Sequence, residues 1–158
     1  MLNNKKETDL HFMRQALREA EKAFETHEVP VGAILVRNNQ IIGRAYNQVK
    51  LLKDPTAHAE MIAITQGAET LKSEHLRQTT LYVTLEPCPM CVGAIILARI
   101  ERLVFGAREP KTGACGSKVH LLADAKWNHS FKITESVLEF ESAALLQEFF
   151  KDKRAKEI

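Results

Sequence analysis

The sequence predicts an α/β protein of three layers, with a central mixed sheet of about five strands and helices on both faces, folded as a single domain over residues 1–158. Three observations carry that expectation. Short apolar and β-branched runs alternate with longer stretches of helical periodicity. The first two strand-like runs are separated only by Asn38-Asn39 and so form a hairpin, whereas later runs are separated by enough chain for a crossover helix. No repeat, low-complexity linker or composition break divides the chain, and 158 residues suffice for one buried core.

The elements follow in order. From Thr8 to His27, the apolar residues Leu10, Met13, Leu17, Ala20 and Phe24 fall at helical spacing, with Ala16 and Ala23 beside them. That is an amphipathic helix, for which Thr8 or Asp9 is the expected cap. "VGAILVR" (31–37) and "QIIGRAYN" (40–47) are the strands of the hairpin. "AHAEMIAITQGAETL" (57–71) reads as a helix beginning between Pro55 and His58. "TTLYVTLE" (79–86) is a mostly apolar strand, and "CPMCVGAIILARI" (88–100) a largely apolar helix. "RLVFGA" (102–107) and "FKITESVL" (131–138) complete the strands, and a closing helix spans about 140–156.

Composition narrows the function classes. A net charge of +2 lacks the excess expected of a protein that holds nucleic acid by bulk charge, and leaves room for a local basic patch. No stretch approaches the roughly 18–20 apolar residues of a membrane span, so no membrane association is expected. "MLNNKKETDLHFM" is followed by no apolar signal region, and a cytoplasmic location is the expectation. Three cysteines, an odd number, in a reducing compartment argue against a disulfide framework.

Sheets of this class gather functional groups at strand carboxyl ends and the helix starts that follow. His58 and Cys88 both fall at such helix starts. With Cys91 they supply one imidazole and two thiolates, the donor set of a zinc site that keeps one position open for water. Pro89, directly after Cys88, suits the first position of a helix, where its missing N–H costs nothing. Cys88 and Cys91 then project from one helical turn, whose free N–H groups favour thiolate. Glu60, two residues after His58, is placed to take a proton from water and return it, as general base and then general acid.

Blander readings compete. A redox pair fits "CPMC" alone but requires no "HAE" upstream. A closed structural zinc site needs a fourth ligand, for which Cys115, His75, His120 and His129 are available. A thiol nucleophile activated by His58 leaves the second cysteine unexplained. The open catalytic site accounts for all four residues.

"HAE" followed by "PCPMC" resembles the signature of the cytidine and adenosine deaminase superfamily, H-x-E with P-C-x-x-C. Nearly the whole chain is similar to the bacterial-type tRNA-specific adenosine deaminases, through "EVPVGAILV" (28–36), "YN" (46–47), "DPTAHAEMIA" (54–63), "TLYVTLEPCPMC" (80–91), "FGAREPKTGACGS" (105–117) and "AALLQEFF" (143–150). The resemblance implies a cytidine deaminase-like fold and one Zn2+ per subunit on His58, Cys88 and Cys91, with Glu60 as proton shuttle. It implies hydrolytic conversion of adenosine to inosine at the wobble position of a tRNA anticodon stem-loop. It also implies a homodimer whose pocket borrows residues across the interface. The zinc motif is shared by deaminases of free bases or nucleosides such as guanine and cytosine, and these are the alternative.

On the same resemblance Asn47 hydrogen-bonds the base, Val31 and Leu85 wall the pocket, and Ala107, Arg108, Glu109 and Lys111 contact the anticodon. Asn47 is equally a turn residue ending a strand, and Val31 and Leu85 are equally core. Glu109 stands where aspartate is usual, so a contact there reaches one methylene further. Lys151, Lys153, Arg154 and Lys156 follow Phe149-Phe150, where cations can meet phosphate and Phe149 can stack on a splayed base. The same stretch is equally a solvated helix end with its phenylalanines in the core.

Overall fold

Asn38 and Asn39 both adopt positive φ, 50° and 57°, as a two-residue turn that matches strand twist requires. They join β1 (Gly32–Arg37) to β2 (Gln40–Tyr46) in the computed structural model, which describes residues 2–157. β3 (Thr79–Leu85) lies antiparallel on the other side of β1, and β4 (Arg102–Ala107) and β5 (Lys132–Thr134) continue parallel to β3. The sheet order is β2-β1-β3-β4-β5. This is the five-stranded mixed sheet that the sequence predicts.

Helices cover both faces. α1 (Leu2–Glu25) and α6 (Glu139–Lys156) pack on one side; α3 (Ala59–Leu71) and α4 (Pro89–Leu97) pack on the other. Strand alternation builds the two cores. Ala33, Leu35, Leu81, Val83, Leu103 and Phe105 face α3 and α4. Ile34, Val36, Tyr82 and Val104 face α1, meeting Phe12, Met13 and Ala16. Gly32 lets α1 approach β1, since a Cβ there would lie 2.0 Å from the Ala16 carbonyl oxygen.

Three local features differ from the sequence reading. The first helix begins at Leu2, not near Thr8, so neither Thr8 nor Asp9 caps it. Thr8 donates its hydroxyl hydrogen to the Asn4 carbonyl, 2.9 Å away. Asp9 is buried mid-helix against Arg102 and Tyr82. The polar run "LNNKKE" has too little apolar periodicity to declare a helix, but it continues one already held by tertiary packing. Two four-residue helices, α2 (Val49–Leu52) and α5 (Leu121–Asp124), are shorter than any period can reveal. The final strand keeps only Lys132–Thr134 of the predicted run, because pairing with β4 ends at Val104 and Thr134.

Among the described residues no helix is long and apolar enough to cross a membrane. The topology fixes where chemistry can occur. β1 runs antiparallel to β2 and β3, so the start of β1 and the ends of β2 and β3 share one sheet edge. Val31, Asn47 and Leu85 converge there, and the Asn47 N–H donates to the Val31 carbonyl at 3.1 Å. α3 and α4 begin at the same edge.

Candidate active site

Two helix N-termini meet at this edge. His58 is the N-cap of α3, with extended backbone (φ −72°, ψ 151°). Cys88 is the N-cap of α4 (φ −75°, ψ 171°), with Pro89 opening the helix as its fixed φ favours. Cys91 lies in the first turn and is buried. Imidazole Nδ1 of His58 lies 3.7 Å from Cys88 Sγ and 3.6 Å from Cys91 Sγ, and the three ligand atoms lie within 4.8 Å of one another.

That spacing fits a metal better than it fits hydrogen bonding alone. Tetrahedral zinc, with Zn–S of about 2.3 Å and Zn–N of about 2.0 Å, separates nitrogen and sulfur ligands by roughly 3.5 Å. Among the described residues, His58, Cys88 and Cys91 are the only such group, so no fourth His, Cys, Asp or Glu closes the site. Cys115 is buried in the core and His120 pairs with it in an isolated β-bridge. His129 sits 2.7 Å from the Ile100 carbonyl. The donor set is that of an open zinc centre.

The electrostatics agree. Its hydrogen bond with Cys91 pulls the Cys88 thiol down to about 4 against the effect of burial, with His58 adding to the fall. The same contact, with burial, pushes the Cys91 thiol up. Thiols must lose their protons to bind a cation, so metal affinity at such a pair depends on pH. The hydrogen bond with Cys88 raises His58, opposed by burial. Glu60, only 4% exposed, lies in the first turn of α3 outside the ligand group. Burial raises its carboxyl, while its hydrogen bond with Cys91 and the imidazole of His58 partly oppose that shift.

His58, Glu60 and Cys88 line a cavity of about 260 Å³ together with Asn47, Val31 and Leu85. The volume lies just under the roughly 300–1,000 Å³ of pockets for drug-sized ligands, and suits a single heterocyclic base. Asn47 is buried, and its Oδ1 accepts the Ala59 N–H at 2.8 Å. It therefore anchors the start of α3 and keeps its amide N–H groups as donors.

The other predicted contacts lie further out. Ala107 is buried at the end of β4, and its carbonyl accepts the Glu86 N–H at 2.8 Å. Arg108 is exposed and paired with Glu135 at 2.7 Å. Glu109 turns its carboxylate onto the Lys111 N–H at 2.9 Å, while Lys111 itself is exposed. Phe149 does not border this cavity. It is 8% exposed, packs edge-on against Phe24 and Phe150, and lines a separate groove between α1 and α6.

Sequence reasoning missed two buried carboxylates on the cavity wall, Glu28 and Glu86. Glu28 Oε1 accepts the Leu51 N–H at 2.8 Å and so docks α2 beside the pocket. Glu86, two residues before Cys88, accepts hydrogen bonds from the loop that follows β4. Burial pushes its carboxyl up, but hydrogen bonds from Ser117, Cys115 and Glu109 outweigh that and hold it below the usual glutamate range. The available signal was an acid placed at a strand end beside proline.

A family model described as MafB19-like deaminase matches residues 7–154. The tRNA-specific adenosine deaminase of Bacillus subtilis is 46% identical over 145 residues, 92% of this chain and 90% of that protein. That of Haemophilus influenzae is 49% identical over 149 residues, 94% of this chain and 86% of its own. A solved structure from studies of A-to-I editing by tRNA:A34 deaminases superimposes with a TM-score of 0.84 at 46% identity, covering 86% of this chain and 99% of its own. A Bacillus subtilis guanine deaminase is more distant, with a TM-score of 0.60 and 36% identity over 62% of this chain and 63% of its own.

Proposed function

We propose that this chain, which belongs to the bacterial-type tRNA-specific adenosine deaminases of the cytidine and deoxycytidylate deaminase superfamily, hydrolyses adenosine to inosine at the wobble position of a tRNA anticodon. The observation that carries the reading is the convergence of His58, Cys88 and Cys91, with His58 and Cys88 lining a base-sized cavity beside Glu60 and Cys91 buried behind them. His58, Cys88 and Cys91 would hold one zinc ion per subunit, which when bound would lower the pKa of a water molecule from about 16 towards 7.

Every other part of the reaction belongs to side chains of this protein. Glu60 takes a proton from the attacking water and delivers it to adenine N1 as the new C–O bond forms at C6. It then carries the second proton to the departing amine, so adenosine and water leave as inosine and ammonia. Burial raises the Glu60 carboxyl and so helps it hold a proton between those transfers. Asn47 donates to an acceptor on the base edge, and Val31 and Leu85 clasp its faces and exclude water.

Ala107, Arg108, Glu109 and Lys111 contact the anticodon, the cations of Arg108 and Lys111 at phosphate and the Glu109 carboxylate at a ribose hydroxyl. The exposed Lys151, Lys153, Arg154 and Lys156 on the last turns of α6 supply further phosphate contacts. Phe149 supports that helix from beneath, and the half-exposed Phe150 offers the aromatic surface. The working form is a homodimer in the cytoplasm, where the tRNA is. The exposed Leu51 and Leu52 of α2 and Leu97 of α4 support an apolar contact between subunits.

The test is an anticodon stem-loop bearing wobble adenosine, incubated with zinc-loaded protein and assayed for inosine. Product on the stem-loop with none from free guanine, cytidine or adenosine supports the reading. Turnover of a free base with none on RNA would place the chain with the guanine deaminases.

A further inference from the structure

The connection after β4 owes its shape to one carboxylate. Only Ala114 and Cys115 of this loop enter the apolar core, so hydrogen bonds must fix the rest. Glu86 is 2% exposed, and both its oxygens are used. Oε1 accepts the Glu109 N–H at 3.3 Å and the Ser117 hydroxyl; Oε2 accepts the N–H groups of Cys115 at 3.0 Å and Ser117 at 3.1 Å. Around this centre the loop closes on itself, Gly113 N–H to Glu109 carbonyl at 2.8 Å and Lys118 N–H to Gly113 carbonyl at 2.9 Å. The backbone adds two ties, Glu86 N–H to Ala107 carbonyl and Ala114 N–H to Pro87 carbonyl, each 2.8 Å.

Residue 113 must be glycine for this to close. A Cβ there would stand 2.3 Å from Glu86 Oε2 and 2.5 Å from the Glu109 carbonyl oxygen. Four donors converge on Glu86, and only an ionised carboxylate, an acceptor at both oxygens, satisfies them all. The same short segment holds Leu85 on the cavity wall and Cys88 at the metal-ligand cluster. Glu86 and Thr112 both border the cavity, so this side chain, together with the two backbone ties, registers the loop to the site.

We propose that Glu86 is a positioning residue for substrate: its carboxylate is the template that folds residues 108–118 into an RNA-contacting shape and locks them to the segment carrying the metal-ligating cysteines. The substrate named here rests on the reading above, while the loop geometry stands without it. The group touches no reacting atom. Its effect falls on binding, by removing the entropy that a loose loop would lose on meeting RNA.

The decisive variants are Glu86→Gln, Glu86→Asp and Ser117→Ala. Glu86→Gln keeps the shape but sets an NH2 group against a backbone N–H, and Ser117→Ala removes one donor without touching the 85–91 segment. Limited trypsin digestion of RNA-free protein reads loop order through cleavage after Lys111 and Lys118. Glu86→Gln should retain zinc, be cut on the order of tenfold faster, and raise KM for the anticodon stem-loop on the order of tenfold, with kcat changed less than about threefold. Ser117→Ala should shift both readouts in the same direction by less, and Glu86→Asp should recover part of the trypsin resistance.

Trypsin rates equal to wild type would overturn the proposal, as would zinc loss in Glu86→Gln or a collapse of kcat at unchanged KM. If Glu86→Gln does not fold, Ser117→Ala decides by the same two readouts. Should wild type make no inosine, the proposed function fails while the trypsin comparison still decides the loop.

Discussion

At Glu60 the fold places a carboxyl group in the first turn of α3, nearly sealed from solvent and beside, but not within, the metal-ligand cluster. Glu60→Ala should therefore retain zinc and melting temperature while kcat falls by roughly 10²–10⁴-fold, the usual contribution of a positioned acid–base group. Metal analysis, thermal melting and turnover on one preparation check this, and turnover near wild type would remove Glu60 from the chemistry. Cys88→Ala should behave oppositely, losing zinc and lowering the melting temperature, because metal affinity is folding free energy at such a site. Equal zinc content in variant and wild type would contradict that ligand. His58, Glu60, Cys88 and Cys91 were legible in the sequence because their spacing is local: Cys88 and Cys91, three apart, share one helical turn, and Glu60 follows the His58 N-cap within the first turn of α3. Glu28 and Glu86 were not legible. Their hydrogen-bond partners lie 23 to 31 residues away, and nothing local marks which distant N–H will meet a given acid.

Among the elements, α1 is pinned to the sheet by a polar cluster on the face opposite the site. Asp9 accepts two guanidinium bonds from Arg102, at 2.7 and 2.6 Å, and the Tyr82 hydroxyl at 2.9 Å; Arg102 also reaches Thr134 on β5. Removing one partner strands a buried charge, so Arg102→Ala should cost about 3–5 kcal/mol in urea unfolding. A loss near zero would show that Asp9 finds water instead. Burial and the Asp9 carboxylate raise the Tyr82 phenol above its ordinary value of 10. With the folded value higher, the neutral phenol's contribution is fully present below pH 10 and is lost as pH rises through the folded value. Wild type should therefore lose stability above pH 10 more steeply than Tyr82→Phe, and parallel urea-midpoint profiles would contradict this. Such clusters explain where element reading stopped. Periodicity located β1 to β4 and α3 closely, because their apolar residues alternate or recur with the fold. It could not extend α1 back to Leu2, where packing and pairing at Asp9 sustain a polar stretch of helix.

For the whole molecule, charge is nearly balanced, yet the basic residues at the end of α6 are all exposed. If they meet phosphate, replacing Lys151, Lys153, Arg154 and Lys156 by alanine should weaken stem-loop binding and flatten its salt dependence, by roughly 0.7 in log–log slope per contact to single-stranded RNA. An unchanged slope would leave α6 as a solvated helix end. The layered architecture was readable because strand and helix periods alternate along the chain. Those periods carry no information on oligomeric state, and exposed leucines such as Leu97 stand outside the core they describe. Three side chains from two helix starts form the donor set of an open metal centre, the group on which deamination of adenine in RNA depends. Its most direct test couples metal analysis of the purified protein with mass spectrometry of the wobble nucleoside after incubation with the anticodon stem-loop. One zinc per chain and inosine in place of adenosine are expected; fully zinc-loaded protein that leaves the adenosine intact would contradict this.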